Sequence, residues 1–152
     1  MKLIQEKTFE KARAEIKKAE DKICFSSNDD ELNRKILEKE KIDVLLINLR
    51  ERKDYQKQRN SGFNQVMARI AKKENVFIGI NLDEIIETSK FEKTRILARL
   101  RQNIFLCKKQ KLQMTFIVKN RNNMRNIYDL KALGLVLGMP TWMTKGLGVV
   151  GI

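Results

Sequence analysis

The chain has 152 residues, of which 32 are Lys or Arg and 19 are Asp or Glu, so the net charge is +13, and it contains no histidine. The missing histidine excludes a Ser-His-Asp or Cys-His catalytic site, an imidazole general base and a His-ligated zinc ion. No apolar window reaches the roughly 18 residues of a membrane span, and the N-terminus lacks the apolar segment of a secretory signal peptide. We therefore expect a cytoplasmic protein with no membrane partner. The length predicts one domain, residues 1–152.

Four short apolar runs predict buried parallel strands, because they are continuously apolar rather than alternating. They are residues 22–26, 43–49, 75–82 and 113–119, and "KLI" and "GVVGI" near the two ends are further candidates. Helical periodicity occurs at residues 9–20, 62–74, 91–111 and 127–137. Ser61 is the expected N-cap of the second of these helices, and Asn126 and Gly138 are expected to bound the fourth. Repeated βα units of this kind predict a parallel sheet or a barrel, and four to six strands favour an open or partial barrel as much as a closed one.

The excess positive charge lies in two blocks rather than in a tail. Residues 50–74 hold 8 basic and 3 acidic groups, and residues 88–125 hold 11 basic groups against Glu92 alone. Both blocks belong to segments with helix or strand patterns. This distribution favours a surface on a folded body that binds a polyanion. Solvated helix faces are the alternative explanation.

Two polar loops that follow predicted strands carry the candidate RNA-binding residues. "RERKDYQKQRNSG" follows the strand at 43–49, and "KNRNNMRN" follows the run "TFIV". Ligands of βα folds gather where strands lead into helices, and guanidinium groups match phosphate oxygens. Tyr55 in the first loop is a candidate for stacking on an unpaired base. The predicted RNA-binding residues are Arg50, Arg52, Lys53, Arg59, Lys119, Arg121 and Arg125.

The helix predicted at 91–111 has a core stripe of Leu97, Leu100, Ile104 and Cys107, and some residues outside this stripe are candidates for a protein interface. Arg95 and Arg99 are expected one turn apart on the face opposite the stripe, and Phe105 and Leu106 fall outside it. An isolated surface leucine is common, so this pattern also has an ordinary explanation. The predicted partner-binding residues are Arg95, Arg99, Phe105 and Leu106.

No catalytic residue and no metal site of the protein are predicted. The chain has no Walker A motif, and no helix follows the glycines of "GLGVVG". Asp83, Glu84 and Glu87 follow the third predicted strand and are the candidates for a carboxylate-bound metal. No other strand end contributes an obvious partner, and a position at a helix N-terminus explains these acids well enough.

Four long phrases resemble one protein family. They are "VLLINL", "SGFNQVMARIAKKENVFIGINL", "TRILARLRQNIFLCKKQKLQMTFIV" and "YDLKALGLVLGMPTWMTK", and they span about residues 42–145. In this order they resemble protein component 3 of archaeal ribonuclease P, the counterpart of the thirty-kilodalton subunit of the eukaryotic enzyme. The first 40 residues match that family poorly, so the N-terminal part of the barrel is expected to be shortened.

The resemblance implies an α/β fold of TIM-barrel-like βα repeats and a non-catalytic role in ribonuclease P. In that enzyme the RNA removes the 5′ leader of precursor tRNA with bound Mg²⁺, so no cofactor is expected on the protein. The implied partners are the ribonuclease P RNA, precursor tRNA in the holoenzyme and protein component 2. The alternatives are a stand-alone metal-dependent phosphoesterase or nuclease of the same barrel class, whose relatives use His-rich clusters, and a generic basic RNA-binding α/β protein.

Overall fold

Six parallel strands form one sheet, and their order in space follows their order in the chain. The computed structural model describes residues 1–152. Every neighbouring pair of strands is parallel, and β1 and β6 are the two edges. All four predicted strands and both terminal candidates are present. The strands are β1 (Lys2–Ile4), β2 (Ile23–Phe25), β3 (Val44–Ile47), β4 (Phe77–Asn81), β5 (Met114–Val118) and β6 (Gly148–Gly151).

Seven helices connect these strands. The four predicted helices are present with slightly different ends, whereas three others, α2, α4 and α7, were not predicted. A single 3-10 turn follows β5 at Arg121–Asn123. No helix combines the length and the apolar character that crossing a bilayer requires. The helices are α1 (Phe9–Lys18), α2 (Asp30–Lys39), α3 (Gln65–Lys73), α4 (Leu82–Glu87), α5 (Lys90–Gln110), α6 (Ile127–Val136) and α7 (Thr141–Lys145).

The sheet is covered by helices on one face only. The main core of 34 buried residues joins the outward side chains of the strands to the helices. A second cluster on the other face contains Cys24, Val44, Leu46 and Ile117, with no helical residue. Helices on one face and strands in sequential order are the arrangement of a TIM-type barrel. The six strands form part of such a barrel, so the predicted partial TIM-barrel-like α/β fold is confirmed.

The helix termini show why each βα unit turns where it does. Asn64, and not the predicted Ser61, is the N-cap of α3, and its side-chain oxygen accepts a hydrogen bond of 2.9 Å from the backbone N–H of Met67. Asn126 caps α6 as predicted. Gly138 ends that helix with a φ of +104°, which a residue with a Cβ atom adopts only with strain.

Candidate nucleic-acid interface

A polar cleft opens at the carboxyl ends of β2, β3, β4 and β5. Its volume is about 550 Å³, and no hydrophobic side chain lines it. Parallel strands bring their following loops to one edge of the sheet, which is where βα folds place their ligands. We call this cavity the polar cleft, and its lining residues are Asn28, Asp30, Asn48, Arg50, Glu51, Arg52, Lys53, Asn60, Asn81, Glu84 and Lys119.

A chain of amide side chains connects the strand ends beneath the polar cleft. The Asn48 amide nitrogen donates to Ser26 Oγ at 3.2 Å and to Asn28 Oδ1 at 3.0 Å. The Asn81 amide nitrogen donates to Asn48 Oδ1 at 3.2 Å. These bonds fix the orientation of each amide relative to its neighbour. The sequence carried one signal for them, because Asn48 and Asn81 lie near the ends of apolar strand runs.

Glu84 lies at the cleft but is used to hold the backbone of the neighbouring loop. Its carboxylate accepts a hydrogen bond of 2.8 Å from the Leu49 N–H and another from the Arg50 N–H. Burial raises the pKa of Glu84, and these two N–H groups act in the opposite direction. The acid therefore anchors the segment that follows β3.

Asp83 and Glu87 hold the segment after β5 in a similar way. Asp83 accepts hydrogen bonds from the Lys119 N–H at 2.7 Å and from the Asn123 amide at 2.8 Å. The same Asn123 amide donates to Glu87 at 2.6 Å. Nowhere in the chain do three Cys, Asp or Glu side chains form a group suited to a metal ion. The acids that were candidates for metal binding are thus partners of backbone and amide N–H groups.

Three of the predicted RNA-binding residues come together in the polar cleft. Arg50, Lys53 and Lys119 are exposed and line it from the segments that follow β3 and β5, the two strands on either side of β4. The closest acid to Arg50 is Glu51, at 3.6 Å in an exposed pair. Such surface pairs contribute little, so the guanidinium remains available to a phosphate. The structure thus brings these three predicted residues together in one cavity.

Arg52 lines the same cleft but is committed to the protein. Its side chain is 9% exposed, and both terminal nitrogens donate to the Asp30 carboxylate at 2.8 Å. Its remaining N–H groups donate to the Asn48 carbonyl and the Asn60 side chain. The prediction of a free phosphate-binding group at Arg52 does not fit this environment, because a bidentate carboxylate already satisfies the guanidinium.

The other three predicted RNA-binding residues lie outside the polar cleft. Arg59 is exposed and donates to the Asp54 carboxylate at 3.1 Å. Arg121 lies in the 3-10 turn after β5, and Arg125 follows that turn. The Arg125 guanidinium donates to two carbonyls of the turn and stays exposed. The structure therefore separates these arginines from the cleft cations, and their RNA-binding role stays a prediction.

Arg99 was predicted on a solvent-exposed face of α5, and this placement is wrong. The side chain is 1% exposed. It donates to the Leu49 carbonyl at 2.8 Å, to the Arg52 carbonyl at 2.6 Å and to the Asp54 carboxylate at 3.0 Å. The loop between β3 and α3 covers this face of α5. Arg99 therefore holds that loop against α5 and is not available to a partner protein.

The remaining residues of the predicted partner patch differ in exposure. The Arg95 side chain is 61% exposed and lies 3.9 Å from Glu92. Phe105 is 58% exposed. Leu106 is partly buried against the main core, so it is less available than its helical position suggested. Their role in binding a partner stays a prediction.

Asp54 closes the loop between β3 and α3, which carries Arg50 and Lys53. Its carboxylate accepts hydrogen bonds from the Asn60 backbone N–H, from Arg59 and from the buried Arg99. Burial on its own would raise the pKa of Asp54, but the hydrogen bond from Arg99 and the other N–H bonds outweigh it and lower the pKa. The loop between β3 and α3 is consequently held in one conformation before any ligand binds.

Comparisons with known proteins identify the family. The family described as "RNase P subunit p30" matches residues 4–145, which include most of the first 40 residues. "Ribonuclease P protein component 3" from Methanococcus vannielii is 29% identical over 110 residues, 72% of this chain and 43% of the relative. The protein of the same name from Methanocaldococcus jannaschii is 29% identical over 116 residues, 75% of this chain and 47% of the relative. The chain thus spans about half the length of these curated relatives.

A solved structure confirms the fold. A chain from a cryo-EM structure of archaeal ribonuclease P with mature tRNA superposes with a TM-score of 0.76. The alignment covers 94% of this chain and 62% of the other, at 24% identity. The resemblance that the four sequence phrases carry is confirmed by the family match.

Proposed function

The chain belongs to the RNase P subunit p30 family, and we propose from this membership that it is a protein subunit of ribonuclease P. In this role it supports removal of the 5′ leader from precursor tRNA by the catalytic RNA. Its partners are the ribonuclease P RNA, precursor tRNA in the holoenzyme and protein component 2. The protein contributes positioning and charge, while Mg²⁺ serves the RNA.

The structural observation that supports this proposal is the composition of the polar cleft. Arg50, Lys53 and Lys119 extend into a cavity that has no hydrophobic lining. Cations on an amide-rich surface suit a phosphate backbone, whereas a small-molecule pocket is mainly apolar. The loop that carries Arg50 and Lys53 is already fixed by Asp54 and Arg99. Such a surface binds RNA with little cost for ordering its own residues.

A metal-dependent hydrolase does not fit the same residues. Enzymes of the related barrel class hold their metals with histidine, and this chain has none. The carboxylates at the strand ends accept hydrogen bonds from backbone and amide N–H groups. We therefore assign no step of the reaction to a protein-bound metal.

Incubation of the protein with precursor tRNA and Mg²⁺ tests the proposal. We expect no leader removal by the protein alone, and stimulated cleavage when the ribonuclease P RNA and component 2 are present. Heat-denatured protein serves as the control for nonspecific effects. Cleavage of precursor tRNA by the purified protein without the ribonuclease P RNA would refute the subunit role.

Replacement of Glu87 by glutamine should leave cleavage by the reconstituted enzyme largely intact. The glutamine side chain keeps the size of Glu87 and an oxygen that can accept from Asn120 and Asn123. We expect a change of less than tenfold in rate, which corresponds to about 1.4 kcal/mol of barrier. Single-turnover cleavage measures it, and a melting curve of the variant checks the fold. If the variant folds and assembles but no longer supports cleavage, the protein would contribute to the active site.

Helix α6 offers the surface that we assign to component 2. One face of α6 is buried against the body through Leu130, while Tyr128, Leu135 and Val136 on the opposite face are 75%, 51% and 80% exposed. Tyr128, Ala132, Leu135 and Val136 follow the spacing of one helical stripe. An exposed apolar stripe of this kind is typical of a surface that becomes buried in an assembly.

Substitution of Leu135 and Val136 by glutamate should prevent stabilisation by component 2. A partner at a hundredfold excess over its Kd stabilises the folded state by about 2.7 kcal/mol, which raises the melting temperature by several degrees. We expect this rise for the parent chain and its loss in the double variant. Phe91→Glu is the matched control, because Phe91 is 85% exposed on a different helix. Light scattering measures the complex, and an unchanged response of the double variant would place the interface elsewhere.

A further inference from the structure

A second cavity lies next to the polar cleft, between α2, α5 and the loop that joins β3 to α3. Its volume is about 520 Å³, within the roughly 300–1,000 Å³ of typical ligand sites. Unlike the polar cleft, it contains exposed aromatic rings. We call it the aromatic groove, and the residues important for its chemistry are Tyr55, Gln58, Asn60, Gln65, Gln102 and Phe105.

Two aromatic side chains of the groove face solvent. Tyr55 is 59% exposed and Phe105 is 58% exposed. The ammonium group of Lys109 lies 5.2 Å from the centroid of the Phe105 ring. An exposed ring with a cation nearby matches the way proteins bind single-stranded nucleic acid, where a base stacks on the ring and the cation attracts the phosphate.

Five of the residues that line the groove carry amide side chains, and four others, Asp30, Glu31, Arg34 and Arg59, are charged. Gln102 donates its amide hydrogens to Ser61 Oγ at 3.0 Å and to the Arg59 carbonyl at 3.3 Å, so its amide oxygen remains as an acceptor. Gln58 and Gln65 add further amides to the lining. An amide offers both donors and acceptors, as the edge of an unpaired base requires. A purely apolar peptide would leave these groups unsatisfied.

The aromatic groove and the polar cleft are adjacent and share a wall. Asp30 and Asn60 line both cavities. The bidentate pair between Arg52 and Asp30, which also reaches Asn60, forms this wall. The Tyr55 backbone N–H donates to the Gln58 carbonyl at 2.9 Å, so the segment that presents the ring is a closed turn. A strand whose phosphates occupy the cleft therefore has a neighbouring base beside the groove that Tyr55 lines.

We propose that the aromatic groove binds one unpaired nucleobase of the RNA whose phosphate backbone occupies the polar cleft. The inference rests on the proposed RNA-binding function and assigns it a single-stranded element rather than a duplex. Stacking on Tyr55 or Phe105 supplies affinity without reading the base identity strongly. The cleft cations supply the salt-dependent part of the binding.

Fluorescence titration of the full chain with two labelled oligoribonucleotides tests the proposal. One probe is a single strand of about nine nucleotides, a length within the range that single-strand-binding surfaces span. The other is a blunt-ended duplex of the same strand with its complement, which has no unpaired base. For Tyr55→Ala combined with Phe105→Ala we expect about tenfold weaker binding of the single strand, no change for the duplex and an unchanged salt slope.

Two controls separate stacking from damage to the fold. Phe91→Ala removes an exposed aromatic ring outside the groove and should leave both affinities unchanged. Tyr55→Phe combined with native Phe105 keeps both rings and should retain binding of the single strand. Circular dichroism melting verifies that each variant is folded.

The outcomes distinguish the inference from the function on which it rests. If the parent chain binds neither probe, the RNA-binding function itself fails. If it binds RNA but the double alanine variant binds the single strand equally well, the groove assignment alone is overturned. Loss of component 2 binding with intact RNA affinity would also overturn it and would make the groove a protein site.

Discussion

Replacement of Arg99 by alanine should lower the free energy of unfolding by about 3 kcal/mol, near the lower end of the range for breaking a buried ion pair. Arg99 is 1% exposed, and its guanidinium satisfies two carbonyls and the Asp54 carboxylate. The alanine variant leaves these acceptors without their donor. It also leaves Glu92, 3.6 Å from Arg99, without its nearby buried cation.

Arg101→Ala is the matched control, since Arg101 is exposed on the same helix. We expect it to change stability by less than about 0.5 kcal/mol. Urea unfolding measures both variants, and limited proteolysis reports whether the loop between β3 and α3 opens first in the Arg99 variant. Equal stability of the two variants would show that the loop does not depend on Arg99.

The pH dependence of the free energy of unfolding gives an independent test of the contact between Arg99 and Asp54. Hydrogen bonds from Arg99 and from the Asn60 N–H lower the pKa of Asp54 despite its partial burial. A carboxylate with a lowered folded-state pKa contributes stability above its unfolded pKa, and this contribution is lost as the pH falls through the folded-state value. The free energies of unfolding of the parent chain and of Arg99→Ala should therefore differ most above the ordinary Asp pKa of 3.8. The difference between them should become smaller as the pH falls below that value.

The sheet is the part of the fold that the sequence predicts best. The strands "VLLI" and "MTFIV" are buried at every position, because one face of the sheet packs against the helices and the other holds the small apolar cluster that includes Val44 and Ile117. Strands buried on both faces give short, continuous apolar runs, and their length and β-branched residues distinguish them from helix segments. The edge strands β1 and β6 are harder to predict, since most of their residues are only partly buried or exposed.

The missed helices have particular causes. Helix α2 buries Leu32, Ile36 and Leu37 within a segment that is otherwise mainly charged or polar, so its apolar stripe is short. Its one clear signal is Asp29, which accepts hydrogen bonds from two backbone N–H groups at the N-terminus. Helix α4 begins directly after β4, where Asn81 ends the strand and also caps the helix. Periodicity over so few residues cannot separate the two elements.

The predicted RNA-binding cations show a different limit of sequence reasoning. Helical spacing tells which residues share a face, but not which distant loop covers that face. Arg99 contacts Asp54 and Leu49, which lie 45 and 50 residues away in the chain. Asp30 neutralises Arg52 across 22 residues. A single sequence therefore gives the number of cations near the cleft, while tertiary contacts decide which of them remain free.

The cations of the cleft that remain free lead to a prediction about RNA affinity. Substitution of Arg50, Lys53 and Lys119 by glutamine removes the three free cations of the polar cleft and leaves the Arg52–Asp30 pair intact. At about 0.7–0.9 released counterions per phosphate contact, the slope of log K against log[salt] should become less steep by about 2–2.7. The same release lowers affinity on the order of a hundredfold near 0.15 M salt.

A second triple variant with the same change in charge decides whether position matters. Lys17, Lys73 and Lys108 lie in the last turns of α1, α3 and α5 and are exposed. These helices run back across the sheet, so their final turns lie at the end opposite the polar cleft. If net charge alone attracted RNA, glutamine at these three positions would flatten the slope as much as glutamine in the cleft. We expect the slope to stay close to that of the parent chain, because only a cation that contacts a phosphate releases a condensed counterion from the RNA. Filter binding of a single-stranded RNA over a series of salt concentrations measures both triple variants, and equal slopes for the two would mean that the cleft has no special role.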